Sequence, residues 1–308
     1  MQFEPRVASN TASIISELAE STLNIGYILH TSIFSECFEE LIDCLYDLSI
    51  RQVSCDSEST RLKVSGFSAL YNLLQYAPRD CARSSEAFMH RMIEALEFSL
   101  KTKLNVHYQE LQGFLLCTLQ CILTNLEDEI SNDVAKKILN LVIGIFNQRG
   151  DVFDEGFLVM SALCNKFIHS MRDNVNTCAP YIIHGIKSKN AAIIRNSCGL
   201  LSDFCTLVES EELLEGSEQY VPILLDYLRD PTLDRNAKIV IITVIGDTFL
   251  YTKDRYGKFI EETLSILEGA CNLVIKGNFF IFFLILNFSY FENNRLTFKS
   301  NLPFLTAK

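Results

Sequence analysis

Few residues of this chain have the types and spacing that catalysis or metal binding requires. The sequence contains no HExxH pair and neither a GxxxxGK(S/T) nor a GxGxxG phosphate loop. Cys117 and Cys121 lie one helical turn apart, but in an apolar helix that spacing is more typical of a core than of a metal site. The five histidines are scattered: His30, His90, His107, His169 and His184. We therefore predict no catalytic residue, no metal site and no cofactor, and a protein that acts by binding rather than as an enzyme.

Composition favours a folded, mostly helical chain. Hydrophobic residues make up 48% of the 308 positions, which is ordinary for a globular protein. Only 13 glycines and 6 prolines are present, as expected for long helices rather than for a loop-rich β protein. The net charge of −11 disfavours nucleic acid and anionic membranes and favours basic partners, although the same charge would also serve solubility alone.

The 11 cysteines indicate reduced core thiols rather than disulfides. No CxxC motif occurs, and many cysteines fall within apolar helical stretches, among them Cys164, Cys198 and Cys205. The N-terminus lacks the basic segment followed by an apolar one that a targeting signal would require. These features predict a reducing compartment, the cytoplasm or the nucleus.

Apolar residues recur at the helical interval up to about residue 275. Pro5 suits the first position of a helix, where a backbone N–H would have no intrahelical partner. The later helices form clear pairs: residues 174–188 with 191–208, and 218–229 with 234–251. Because no segment alternates as a strand would, the predicted fold class is all-α.

These pairs repeat along the chain. The segments TCAPYIIHGIKSKN and EQYVPILLDYLRDP share a pattern in which Pro180 and Pro222, 42 positions apart, each sit at a helix start. The second helix of every pair can be aligned on one apolar anchor, in steps of 38 to 52 residues: Leu18, Leu70, Leu119, Leu163, Leu201 and Ile245. A period near about 40–47 residues is typical of HEAT and armadillo repeats, which stack into an α-α superhelix, or solenoid.

We assign residues 1–275 to a solenoid of about six repeats. Because residues 4–22 resemble the second helix of a repeat, the solenoid is expected to start mid-repeat. Residues 276–308 form an atypical tail rich in Phe and Asn, and its uncharged stretch, 277–291, is shorter than the about 20 residues that span a membrane. The composition of this tail resembles translated AT-rich non-coding sequence, such as a retained intron.

A polar ladder is the candidate binding feature. Positions two residues past each anchor face away from the apolar stripe, and the polar ones are the predicted partner-binding residues: Glu20, Asn72, Asn165, Asp203 and Asp247. Positions two before the anchors are mostly small, as at Ser16, Ser161 and Gly199. In helix-pair solenoids one layer of helices lines a concave surface that binds extended ligands, so the ladder predicts a site for a basic helix or peptide. The alternative is that the ladder is only solvated and that the small residues let neighbouring helices approach.

Several segments, in order, resemble the middle and later repeats of importin beta, the karyopherin of nuclear import. They are EPRVASN with SELAES at 4–21, LQGFLLCTLQCIL at 111–123, DEGFLVMSALCNKF at 154–167, NSCGLLSDFCTL at 196–207 and AKIVIITVIGDTFLYTKDRYGKFIEETLSIL at 237–267. The resemblance covers about residues 4–275.

The resemblance implies a HEAT superhelix that carries cargo through nuclear pores and is found in the cytoplasm, the nucleus and the pore. It implies importin alpha or a basic cargo signal as partner on the concave face, and Phe-Gly nucleoporins between the outer helices. Ran GTPase is a further implied partner, although its main site in the family falls in N-terminal repeats outside the matched span. Ser13 stands where the family has a tryptophan that helps to grip importin alpha. Its replacement either removes that partner or shifts the role to acids such as Asp203 and Asp247. The alternative function is a HEAT-repeat scaffold for another multiprotein complex.

Overall fold

The computed structural model describes residues 4–21, 33–51, 56–102, 106–126, 130–151, 153–167, 171–207 and 211–273. These residues form twelve α-helices and no β-strand, so the all-α prediction is confirmed. None of these helices is both long enough and apolar enough to cross a membrane. The predicted tail, 276–308, lies outside the described residues. In chain order the helices are α1 (Pro5–Ser21), α2 (Phe38–Ile50), α3 (Asp56–Gln75), α4 (Ala82–Lys101), α5 (Val106–Asn125), α6 (Asn132–Arg149), α7 (Asp154–Lys166), α8 (Val175–Ile186), α9 (Ala191–Leu207), α10 (Glu211–Arg229), α11 (Arg235–Thr252) and α12 (Ile260–Leu273).

Helix ends follow local side-chain chemistry. Asn190 precedes α9, and its side-chain oxygen accepts a hydrogen bond from the backbone N–H of Ala192 at 2.9 Å. Asp234 caps α11 in the same way through the N–H of Ala237 at 3.1 Å. Gly150 closes α6 at a φ of 70°, a left-handed conformation that glycine adopts without the steric cost of a Cβ atom.

Two predicted helix starts are wrong. Pro180 and Pro222 lie inside α8 and α10, which begin at Val175 and Glu211. By contrast, Pro5 opens α1 as predicted. A proline inside a helix removes one intrahelical hydrogen bond, and the buried apolar residues that follow each of these prolines supply the packing that keeps the two helices continuous.

The chain divides into two compact units, residues 1–208 and 209–308. In the first unit the odd-numbered helices α1, α3, α5, α7 and α9 pack side by side in chain order, and we call them the odd layer. The even-numbered helices α2, α4, α6 and α8 form the even layer. Each even helix packs on the odd helix that follows it, which is the arrangement of stacked helix pairs.

The predicted anchors define the core, with one exception. Five of the six are buried: Leu70, Leu119, Leu163, Leu201 and Ile245. The prediction for Leu18 is wrong, since this side chain is 43% exposed. Helix α1 instead buries Ser9, Ala12 and Ala19, because it packs on α3 and small side chains let the two helices approach closely.

Glycines mark the closest approaches between the two layers. A Cβ atom on Gly66 of α3 would come within 2.3 Å of Ser49 Oγ in α2. A Cβ atom on Gly156 of α7 would come within 2.4 Å of the Phe146 ring in α6. At these positions the absence of a side chain lets an odd helix lie against its even partner.

The second unit contains α10, α11, α12 and a 3-10 segment, Lys253–Phe259. Tyr220 and Tyr256 are its largest fully buried side chains among the described residues. The Tyr256 hydroxyl lies 2.9 Å from Thr263 Oγ1, and burial raises the pKa of this phenol well above its usual value. Phe249 of α11, the helix that carries the predicted residue Asp247, packs edge-on against the Tyr256 ring with centroids 5.5 Å apart.

Candidate functional site

The ladder position on α3 is joined to the neighbouring helix of the odd layer. The Asn72 side-chain amide donates a hydrogen bond to Ser16 Oγ of α1 across 2.9 Å. Asn72 is half-buried, so this bond satisfies a polar group that water reaches poorly. It also fixes the spacing of α1 and α3 at the surface of the layer.

The most polar part of the ladder lies between α7 and α9. The Ser161 hydroxyl of α7 donates a hydrogen bond to Asp203 Oδ2 of α9. The Asn165 amide donates to the Ser161 carbonyl oxygen at 3.0 Å and to the same Asp203 oxygen at 3.4 Å. Asn165 is exposed and Asp203 half-buried.

The Asp203 carboxylate also affects the pKa of a buried thiol. Cys164 of α7 is fully buried, and burial together with the nearby Asp203 carboxylate raises the pKa of its thiol to about 12. The carboxylate therefore lies over α7, at the edge of the core.

The two sequence columns meet in the structure. Ser16 and Ser161 stand two residues before their anchors, and Asn72 and Asp203 stand two residues after theirs. The Ser16 hydroxyl accepts a hydrogen bond from Asn72, and the Ser161 hydroxyl donates one to Asp203, in each case on the next odd helix. The small residues thus let neighbouring helices approach, as the alternative interpretation of the ladder predicted. They also hydrogen-bond to the ladder side chains.

The other two ladder residues are Glu20 and Asp247. Glu20 lies exposed near the end of α1. Asp247 belongs to the second unit, where it is half-buried on α11. Ile239 and Leu250, which share the face of α11 with Asp247, are 43% and 39% exposed. That face combines a carboxylate with apolar contact area.

Open space adjoins Asp203 on its own helix. Gly199 lies one turn before Asp203, and among the described residues a Cβ atom placed on it would meet no neighbouring atom within 4 Å. No described side chain therefore covers α9 at this position, one turn from the carboxylate.

Sequence reasoning missed an acidic pair at the start of α7. Burial raises the pKa of Glu155, and a hydrogen bond with Asp154 raises it further. The Glu155 side chain also lies over Gly113 of α5, 3.2 Å from where a Cβ atom would stand. Two consecutive acids at a helix N-terminus are a recognisable signal, but they fall outside the ladder spacing.

The even layer carries a separate groove between α6 and α8. Its volume is about 360 Å³, and its lining includes Phe146, Pro180 and Tyr181. Two hydrogen bonds cross it: the Tyr181 hydroxyl donates to Asn147 Oδ1 at 2.9 Å, and the His184 ring nitrogen lies 2.9 Å from Asp151 Oδ1. The groove therefore has an aromatic floor and a polar rim.

The other described gaps of the even layer are bridged by ion pairs. Between α2 and α4 the Arg91 guanidinium contacts Asp43 and Asp47 and lies 4.4 Å from the centre of the Tyr46 ring. Between α4 and α6 a second pair joins Lys137 to Glu97 at 2.9 Å. The α6–α8 groove is crossed by the Tyr181–Asn147 and His184–Asp151 contacts.

Thiols and acids do not assemble into a metal site in the described part of the chain. No group of three or more His, Cys, Asp or Glu side chains there has metal-binding geometry. Burial raises the pKa of the Cys117 and Cys121 thiols to about 12, so these cysteines, which share one face of α5, are protonated near neutral pH.

These features define a solenoid of stacked helix pairs, a class of proteins that bind partners along their layers. A model of the family described as importin subunit beta-1-like, TPR repeats, matches residues 1–280. The chain belongs to this importin beta family, so the predicted family and the HEAT-type solenoid fold are both confirmed.

Solved structures of related proteins share the fold. Yeast importin-beta, Kap95p, is 18% identical, with a TM-score of 0.68 over 94% of this chain and 34% of that one. An importin beta crystallised in ammonium sulfate is 16% identical, with a TM-score of 0.68 over 93% of this chain and 35% of that one. Kap95 in its complex with Nup1 is 19% identical, with a TM-score of 0.65 over 94% and 34%. The chain thus spans about a third of the length of these proteins.

Proposed function

We propose that this chain acts as a transport receptor of the importin beta type. It binds a basic segment of importin alpha or of a cargo on the odd layer and contributes to protein import into the nucleus, moving between cytoplasm and nucleus through the pore. The observation that carries the proposal is the half-buried Asp203 carboxylate, held on the odd layer beside the open surface at Gly199 in a chain of this family.

The physical basis of binding is charge-assisted hydrogen bonding. Lysine and arginine side chains bind carboxylates more strongly than they bind neutral acceptors. The net charge of −11 also attracts basic partners to the chain. Glu20, Asn72 and Asn165 are proposed to extend this contact to other repeats of the first unit, and Asp247 is proposed to bind basic side chains on the second unit. The exposed Ile239 and Leu250 beside Asp247 add apolar area, which favours an amphipathic basic helix over a purely charged peptide.

The α6–α8 groove is proposed to receive phenylalanine side chains of Phe-Gly nucleoporins. Its volume of about 360 Å³ holds an aromatic ring, and the half-buried Tyr181 ring, which packs 5.6 Å from the buried Phe146 ring, offers an aromatic surface. Support also comes from relatives: solved structures show Kap95 with Nup1 and with RanGDP. We propose Ran as a partner of the whole receptor, with its main site outside this chain.

The alternative is a scaffold for another multiprotein complex, which would use the same layers without a preference for basic transport signals. Fluorescence anisotropy with the basic importin-beta-binding segment of importin alpha separates the two. We expect binding that weakens steeply with salt. Affinity equal to that of an unrelated acidic solenoid would favour the scaffold.

The site assignment is tested by neutralising its carboxylates. Asp203→Asn and Asp247→Asn are each expected to weaken the basic segment about three- to tenfold, because each removes one charge-assisted contact. The matched control is Glu94→Gln, which removes the same charge from an exposed position on α4 in the even layer. Equal affinities for Asp203→Asn, Asp247→Asn and the control would remove the assignment.

A further inference from the structure

We propose that Ser161 and Asn165 are positioning residues for the Asp203 carboxylate and hold it in the orientation that receives a basic side chain of the partner. This inference rests on the proposed function, because it takes Asp203 as a ligand-binding group.

Two donors from successive turns of α7 converge on one oxygen of α9. The Ser161 hydroxyl and the Asn165 amide both donate to Asp203 Oδ2, and the Asn165 amide is itself fixed by its 3.0 Å bond to the Ser161 carbonyl oxygen. An aspartate on a helix surface otherwise samples several rotamers. A carboxylate has about four acceptor sites, and these two bonds, which both use Oδ2, restrict its orientation.

Pre-orientation matters because ordering a side chain opposes binding. A partner that meets a carboxylate already in its bound rotamer does not have to restrict it, and such preorganisation raises affinity. The Ser161 hydroxyl and the Asn165 amide are neutral, so they orient the carboxylate without cancelling its charge. The negative charge that attracts the partner is thus kept.

The chain contains a neutral counterpart of this arrangement. Asn72 and Ser16 occupy the same columns on α3 and α1 and are joined by a similar bond of 2.9 Å, but neither carries a charge. Breaking that bond costs packing between odd helices without changing a carboxylate. Because Asn72 is itself a proposed contact residue, the matched control for Ser161→Ala is Ser85→Ala, which removes a hydroxyl hydrogen bond to the Cys81 carbonyl oxygen in the even layer.

The experiment measures affinity of the full chain for the basic importin alpha segment. Ser161→Ala is expected to weaken binding about three- to tenfold, the loss expected for one hydrogen bond, and Ser161→Thr, which keeps the hydroxyl, to restore it. Asn165→Ala, at an exposed position that tolerates truncation, is expected to weaken binding about twofold. Ser85→Ala is expected to leave affinity unchanged while lowering the melting temperature, because it removes one hydroxyl hydrogen bond away from the ladder.

A second background shows whether Ser161 acts through Asp203. In Asp203→Asn protein, Ser161→Ala is expected to cause no further loss of affinity. A further loss there, or unchanged binding in Ser161→Ala and Asn165→Ala while Asp203→Asn still weakens it, would overturn the positioning role and leave the proposed function standing. Unchanged binding in Asp203→Asn itself would overturn the proposed site.

Discussion

Two glycine-to-alanine substitutions in the first unit are expected to change stability in opposite directions. At Gly156 the new Cβ atom would lie 2.4 and 2.5 Å from two carbons of the Phe146 ring and 3.2 Å from Val142 Cγ1. That ring cannot move aside easily, because it is buried and packed against the rings of Phe153 and Phe157, with centroids 5.0 and 5.5 Å away.

The magnitudes follow from the competing effects. Overpacking of this kind costs about 1–3 kcal/mol, and replacing glycine by alanine within a helix returns about 0.5–1 kcal/mol. The mid-range cost exceeds the mid-range gain, so Gly156→Ala is expected to lose about 1 kcal/mol and at most about 2.5 kcal/mol. At Gly199, where the new methyl meets no neighbouring atom within 4 Å, Gly199→Ala is expected to gain about 0.5–1 kcal/mol.

Equilibrium urea unfolding followed by circular dichroism measures both variants against the parent chain. A shared m-value is required for the comparison, because a changed m-value signals an altered denatured state. If Gly156→Ala proved as stable as Gly199→Ala, the close approach of α6 and α7 would be refuted. Since Phe146 also floors the α6–α8 groove, Gly156→Ala should in addition weaken any Phe-Gly peptide bound there.

Three further predictions concern thiols, pH and a helix end. Iodoacetamide at pH 8 should alkylate the exposed Cys44 long before Cys164 and Cys178, which are buried with thiol pKa values raised to about 12; peptide mapping by mass spectrometry measures this, and equal labelling of the native protein would contradict it. Burial raises the pKa of Glu155, so the folded state favours the protonated carboxyl. The ionised carboxylate therefore lowers stability at neutral pH. This loss disappears as the pH falls through the folded-state pKa toward the ordinary pKa of glutamate. Glu155→Gln should therefore raise the melting temperature at pH 7 and change it less at pH 4; a lower melting temperature at pH 7 would count against burial of this carboxyl. Gly150→Ala should cost about 1 kcal/mol in urea unfolding because Gly150 has a φ of 70°, whereas Gly150→Asn should cost less, and equal losses would argue against the left-handed turn.

The helical layers could be predicted from the sequence because periodicity and capping are local. Pro5 marks a helix start because a backbone N–H would lack a partner there, and α1 begins at Pro5. The predicted helix 234–251 corresponds to α11, Arg235–Thr252. Pro180 and Pro222 misled the prediction because tertiary packing sustains a helix through a proline. The anchor at Leu18 was wrong because the contact with α3 determines which face of α1 is buried, and the sequence of α1 alone does not contain that contact.

The candidate site was only partly predictable. The ladder spacing found Asn72, Asn165 and Asp203, and neighbouring residues on the next helix complete their hydrogen bonds. The pairing of Ser161 with Asp203 depends on how far α7 and α9 are shifted along each other. Residue spacing in the sequence does not give this shift. The α6–α8 groove was likewise out of reach, because it forms between two helices whose facing residues are separated by the whole of α7.

The most direct test of the account asks which layer a basic partner touches. The photo-reactive residue p-benzoylphenylalanine would replace Arg195, exposed on α9 on the same face as Gly199 and Asp203, and, in a second protein, Phe98, which is 63% exposed on α4 of the even layer. Irradiation with the basic importin alpha segment should cross-link the protein modified at 195 and not the one modified at 98, and unlabelled segment should compete the product away. Cross-linking at 98 with none at 195 would show that the odd layer is not the binding surface.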